Sequence, residues 1–151
     1  MNIHFELITP ENWRIFNALK VKKEQEQWVA SNGAILARAY AYREQNSIVY
    51  AIYNCETPIG LLMQRDYIHN EITYCVLDQF MIAEPFQSKG YGRKAMQQWM
   101  LLIKENQKHD AIMLCYKEED IIACNLYQSL GFKHTGEVDE DEITMEYQLL
   151  K

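Results

Sequence analysis

The stretch Gln87-Ser88-Lys89-Gly90-Tyr91-Gly92-Arg93 holds the residue types and spacing best suited to chemistry. It follows an apolar run, Val76 to Ile82, that reads as a strand, and opens a run, Lys94 to Asn106, that reads as a helix. A glycine-bearing corner between strand and helix leaves backbone N–H groups unpaired and aimed one way, and the helix N-terminus adds partial positive charge. Phosphate binds such a corner through main chain alone. Gly90 and Gly92 keep Cβ atoms out of its approach, while Lys89 and Arg93 add positive charge. No Gly-Lys-Ser/Thr closes the loop, so it is not a Walker loop. Gly90, Gly92 and Ala95 fit G-x-G-x-x-A, but a dinucleotide fingerprint needs its turn directly after the strand. Here Ala83 to Lys89 intervene, and too little chain follows for a doubly wound sheet. The plain alternative is an ordinary glycine-containing helix start.

The elements that must position this corner follow from pattern. Ile3 to Ile8 alternates and reads as a strand, and Thr9-Pro10-Glu11 then starts a helix with Trp13, Phe16 and Leu19 on its apolar face. Lys20 to Gln27 is charged and reads as solvated. Ser31 or Asn32 caps a second helix carrying Ile35, Ala39 and Tyr42. Strands are expected over Ser47–Tyr53, Ile59–Arg65 and Glu71–Ile82, with turns at 54–58 and 66–70, so this meander is antiparallel. After the loop, Ala95, Met96, Trp99, Met100 and Ile103 line one helix face, which reads as core packing. Asp110 to Tyr116 is a fifth strand, and Ile121 to Leu130 a helix ended by Gly131. A closing strand pair follows around an acidic turn, with Ile143, Met145, Tyr147 and Leu149 alternating.

The totals bound the function. A chain of 151 residues, 48% hydrophobic, is expected to form one globular domain over 1–151. Its net charge of −6 argues against a nucleic-acid partner and suits a cationic one. No run approaches membrane-spanning length and no leader pattern opens the chain, so a cytoplasmic location without a membrane partner is the expectation. Cys55, Cys75, Cys115 and Cys124 form no C-x-x-C pair and read as buried small hydrophobes; with four scattered histidines, no metal is expected.

Gln-x-x-Gly-x-Gly after a strand (Gln87, Gly90, Gly92) resembles the acyl-CoA-binding motif of the GNAT N-acetyltransferases. Ala123-x-x-Leu126-Tyr127-x-x-x-Gly131-Phe132 resembles that family's segment of helix, tyrosine, glycine and returning strand. The order of meander, loop, helix, strand, helix and hairpin extends the likeness to nearly the whole chain. Glu11 through Asn32 is also similar to bacterial spermine/spermidine acetyltransferases of the diamine type. Two positions depart from the family pattern: Asp120 stands where Asn is usual, and Ser88 where glycine is usual. The resemblance implies an α/β (α+β) GNAT fold, a mixed and mostly antiparallel sheet flanked by helices. It further implies acetyl-CoA as cosubstrate, a small primary amine as partner, and a homodimer.

Under that resemblance, the amides of Ser88, Lys89, Gly90, Tyr91, Gly92 and Arg93 hold the pyrophosphate, with Gln87 and Asp120 also toward the cofactor. The backbone of Phe80, Met81 and Ile82 pairs with the pantetheine arm where the fourth strand splays from the fifth, and one N–H polarises the thioester carbonyl. Tyr127 is the expected general acid, or else a structural ring under the cofactor. Asp78 is a candidate base, a cation-binding group, or a salt-bridged structural residue; Glu71 is a second carboxylate to consider. A polyamine would call on Asp78, Glu71, Glu24, Glu26, Trp28, Tyr67 and Tyr74, each of which also reads as core or solvated surface. Other acceptors are a peptide or protein N-terminus or an antibiotic amine. A non-catalytic CoA-binding module is the rival of another class.

Overall fold

The structure, a computed structural model, describes residues 1–149; Leu150 and Lys151, which end the expected 1–151 domain, lie outside the described residues. β1 (Ile3–Leu7) leads through a turn to α1 (Trp13–Ala18) and then α2 (Asn32–Ala41). β2 (Ile48–Asn54), β3 (Thr57–His69) and β4 (Ile72–Ile82) form the meander. α3 (Tyr91–Asn106), β5 (Ala111–Lys117), α4 (Ile121–Ser129), β6 (Lys133–Asp139) and β7 (Glu142–Gln148) complete the order. The seven strands form one sheet, β1-β2-β3-β4-β5-β7-β6, in which only the β4–β5 pair is parallel.

Alternation along the strands sorts side chains to two faces. Ile52, Leu62, Cys75, Leu77 and Ile112 pack with Ala95, Met96, Trp99 and Ile103 of α3 and Tyr127 of α4. Ala51, Leu61, Met63 and Met81 pack with Phe16 of α1 and Ile35 of α2 on the other face. Trp99 is fully buried and donates its indole N–H to Gln64 Oε1 at 2.8 Å, so this deep polar group is satisfied. The second face is covered only in part. Beyond α2 an open groove of about 960 Å³ runs past Tyr67, Tyr74, Glu137, Asp139 and Glu146.

Several elements differ from the sequence expectation. α3 begins at Tyr91 rather than Lys94, because Gly90 at φ 87° turns the chain straight into the helix. β3 runs on through His69, and the reversal is confined to Asn70 and Glu71 at φ 51° and 66°, a pair of positive φ values suited to strand twist. The final hairpin turns at Glu140 and Asp141 alone, within the stretch 136–142 that reads in the sequence as an acidic turn, so β6 extends through Asp139. Trp13 stays exposed, while Phe16 carries the burial of α1. Of the cysteines only Cys75 is buried; Cys124 is intermediate, and Cys55 and Cys115 are exposed. Ser31 caps α2 as expected, accepting from Ala34 N at 3.2 Å.

Candidate active site

β4 and β5 part company midway. Their parallel register runs from Tyr74 opposite Ala111 to Leu77 opposite Leu114 and stops there, although β4 continues to Ile82 and β5 to Lys117. An irregularity sits at the same point: Met63 faces Gln79 and Gln64 faces Leu77, so Asp78 is the extra residue of a bulge in β4. Bulges bend and twist a strand, and this one turns β4 away from β5. The result is a fork whose inner edge on β4 is unpaired.

Alternation decides which groups face the fork. Ala83 N–H donates to Ile59 O on β3 at 2.8 Å, so Met81, two residues back, also turns its backbone to β3. Phe80 and Ile82 therefore present theirs to the opening. Of the three residues expected to pair with a ligand arm, Met81 is turned the wrong way. Ile82 O is already taken, accepting from Gln87 Nε2 at 2.8 Å.

A cleft of about 260 Å³ fills the wide end of the fork. Phe80, Met81 and Ile82 form one wall, and Ala123, Leu126 and Tyr127 of α4 the other. Gln87, Ser88 and Gly92 close its end, at the N-terminus of α3. Among the described residues no side chain caps α3, so its first-turn N–H groups are left for an outside acceptor. Lys89, Gly90, Tyr91 and Arg93 lie outside the lining. Lys89 Nζ donates to Pro85 O at 3.0 Å, Arg93 donates to Ser129 Oγ at 2.6 Å, and the Tyr91 hydroxyl accepts from Asn54 Nδ2 at 3.2 Å. Gln87 acts as a brace, since its amide also donates to Gln25 Oε1 at 2.8 Å. Ser88 adopts φ 61°, in the left-handed region that suits the glycine usual at this position, and this costs a residue with a Cβ about 1–2 kcal/mol. The stretch expected to be solvated contributes as well: Val21, Lys22 and Gln25 line this cleft.

A second cleft of about 370 Å³ adjoins it on the side of the bulge, lined among others by Arg38, Arg65, Asp78, Tyr116, Lys117 and Glu142. Asp78 is almost wholly buried, and both its oxygens are engaged. Arg38 Nε donates to Oδ1 at 2.9 Å and Arg65 Nε to Oδ2 at 2.7 Å. Both guanidinium groups also lie over the Tyr42 ring, 5.2 and 4.7 Å from its centroid. Burial alone would raise the Asp78 carboxyl, but the hydrogen bonds and charges of the two arginines outweigh it and hold it below the usual range. A carboxylate so stabilised is a poor proton acceptor, and of the roles open to Asp78 the salt-bridged one matches this geometry. Glu71 sits on the β3–β4 turn, on the order of 25 Å along the strand from the bulge. Nothing in the sequence near Asp78 announced Arg38 or Arg65.

Tyr127 stands between the clefts and lines both. Its ring packs 5.9 Å from Phe132 and 6.4 Å from Tyr116, and among the described residues its hydroxyl takes no hydrogen bond. Burial pushes the phenol up, and the charge of Asp120 adds to it, so the group stays protonated. Asp120 is the N-cap of α4, its Oδ1 accepting from Ala123 N at 3.1 Å. Of the other amine-binding candidates, Trp28 lines both clefts. Tyr67 and Tyr74 line the separate groove on the sheet face, and Glu24 and Glu26 line neither cleft. Among the described residues no group of three or more His, Cys, Asp or Glu is placed to hold a metal, and no helix is long and apolar enough to cross a membrane.

Known proteins are similar to this chain in sequence and in fold. The model of the acetyltransferase (GNAT) family matches residues 9–132. The chain is 29% identical over 148 residues to the spermine/spermidine N(1)-acetyltransferase of Bacillus subtilis (strain 168), covering 92% of this chain and 93% of that one. Its fold is similar to that of spermidine N-acetyltransferase from Vibrio cholerae, solved with CoA and spermine, at TM-score 0.78 and 16% identity over 97% of this chain and 95% of that one. The ribosomal-protein-S5-alanine acetyltransferase of Vibrio fischeri is similar at TM-score 0.73 and 15% identity, over 98% and 93% of the two chains. At such identities the structural likeness speaks to the fold alone. The family match spans most of the chain and includes the forked strands, the glycine corner and Tyr127: this protein belongs to the GNAT acetyltransferase family.

Proposed function

We propose that the protein transfers an acetyl group from acetyl-CoA to a primary amine, with polyamines such as spermine and spermidine as the favoured acceptors. The observation that carries the reading is the fork itself. The unpaired β4 edge, the bare N-terminus of α3 and the protonated Tyr127 hydroxyl converge on one cleft. The phosphates belong at the α3 end and the extended arm along β4, where Phe80 N–H is the donor placed to polarise a carbonyl. Tyr127 gives its proton to the leaving sulfur. The amine enters through the adjoining cleft. The polyamine preference draws on the Bacillus subtilis and Vibrio cholerae likenesses and on the net charge of −6. The reading includes one catalytic domain over 1–151, a homodimer, a cytoplasmic location, and neither metal, nucleic acid nor membrane as partner. Peptide and antibiotic amines are the other acceptor classes, since the Vibrio fischeri likeness is to an enzyme named for a protein alanine.

The test is thiol release from acetyl-CoA with a panel of spermine, spermidine, diamines, peptides and aminoglycosides. Turnover is expected with polyamines first. Tyr127→Phe is expected to lower it by about 100-fold with CoA binding retained. A wild type that binds CoA and acetylates nothing in the panel would instead identify a sensing module on the same fold.

A further inference from the structure

An ammonium must lose a proton before it attacks, and Asp78 is committed to two arginines. The receiver has to stand where the reacting atoms meet, which is the junction of the two clefts. Six residues line both: Trp28, Val29, Phe80, Asp120, Ala123 and Tyr127. Only two of the six titrate, Tyr127 and Asp120. Resting on the transferase reading above, we propose that Asp120 is the proton acceptor of the reaction and the counterpart of Tyr127, taking the ammonium proton directly or through one water.

The local geometry suits the role. Asp120 Oδ1 is fixed by Ala123 N–H, while Oδ2 takes no hydrogen bond or ion pair among the described residues. The carboxylate is thus oriented by the helix start and still has a free face. Among the described residues no cation pairs with Asp120: Arg38 and Arg65 hold Asp78, and Lys117 holds Asp141 and Glu142 at 3.1 and 3.2 Å. Lys22 is the remaining cation in the lining. Burial raises the Asp120 carboxyl above its ordinary value, and the Ala123 N–H only partly opposes this. A carboxylate so raised is the better base near neutral pH.

The step balances. The ammonium gives one proton to Asp120, and the free amine forms the C–N bond at the thioester carbon. The C–S bond breaks, and the sulfur takes the Tyr127 proton. The second proton on the amide nitrogen restores Tyr127, and Asp120 releases its own to solvent. One proton is released per acetyl transferred.

Asp120→Asn tests this on the full chain, because Asn caps a helix as well as Asp and keeps the shape. With a polyamine at neutral pH, kcat is expected to fall by about 100-fold or more while CoA affinity stays unchanged in calorimetry. A weakly basic acceptor such as hydroxylamine, already unprotonated at neutral pH, is expected to restore turnover in the variant. Wild-type kcat in the variant, a drop in CoA affinity with kcat kept, or no rescue by the weak base would each overturn the assignment. An inert wild type would overturn the transferase reading and this proposal together; an active wild type with an equally active variant overturns this proposal alone.

Discussion

Two guanidinium groups close on the Asp78 carboxylate, Arg38 from α2 and Arg65 from β3, and Tyr42 backs them both. The folded carboxyl lies below its unfolded value of about 3.9, so it binds fewer protons folded than unfolded at low pH. The stabilisation is therefore complete above about pH 4 and is lost as pH falls through the lowered folded value. Asp78→Asn is expected to cost about 1–3 kcal/mol at pH 7, less than a fully buried pair because the arginines are partly exposed. Urea unfolding at pH 7 and at pH 3 checks it: the gap between variant and wild type should narrow at the lower pH. The sequence displayed Asp78, Asp120 and Tyr127 as types worth watching, but it could not sort their roles. Arg38 lies 40 residues from Asp78 and Arg65 lies 13, and no local pattern links them. What separates a tied carboxylate from a free one is tertiary contact.

Elements whose ends are written in local chemistry were legible. Ser31 caps α2 and Gly131 follows α4 at φ 98°, as their residue types require. The bulge at Asp78 was not legible, because Tyr74 to Leu77 before it are buried on both faces and show no alternation whose parity a bulge could shift. Nor was the close approach of β3 and β4 at Gly60, although the residue was expected within a strand. A Cβ there would run into the Met81 carbonyl oxygen, with Ile82 behind it, so β3 and β4 approach as they do only because position 60 has no side chain. Gly60→Ala is expected to cost about 1–3 kcal/mol. It should also displace the β4 edge that carries Phe80 and Ile82, so CoA binding weakens along with the melting temperature. Thermal melts paired with calorimetry separate this from a loss of stability alone.

At the scale of the molecule the order of elements and the family were readable from the glycine corner and the Tyr127 segment together. The uncovered groove over β4 to β7 was not, since alternation says which side chains share a face but not whether a helix lies over it. If CoA binds only the folded chain, mass action adds about 2.7 kcal/mol at a concentration a hundred times its dissociation constant. For a chain of this size that corresponds to a rise in melting temperature of roughly 5–10 °C, and differential scanning calorimetry with and without CoA measures it. No rise would mean that the fork does not hold the ligand. Between β1–β4 and the β5–β7–β6 end, the sheet is stitched from Tyr74–Ala111 to Leu77–Leu114, with Asp110 N–H donating to Thr73 O at 2.8 Å just before the ladder. That short seam is the mechanical waist of the molecule. An arm lying beside Phe80 would act as a splint across it, so the cosubstrate would complete the architecture in the same motion that delivers its acetyl group.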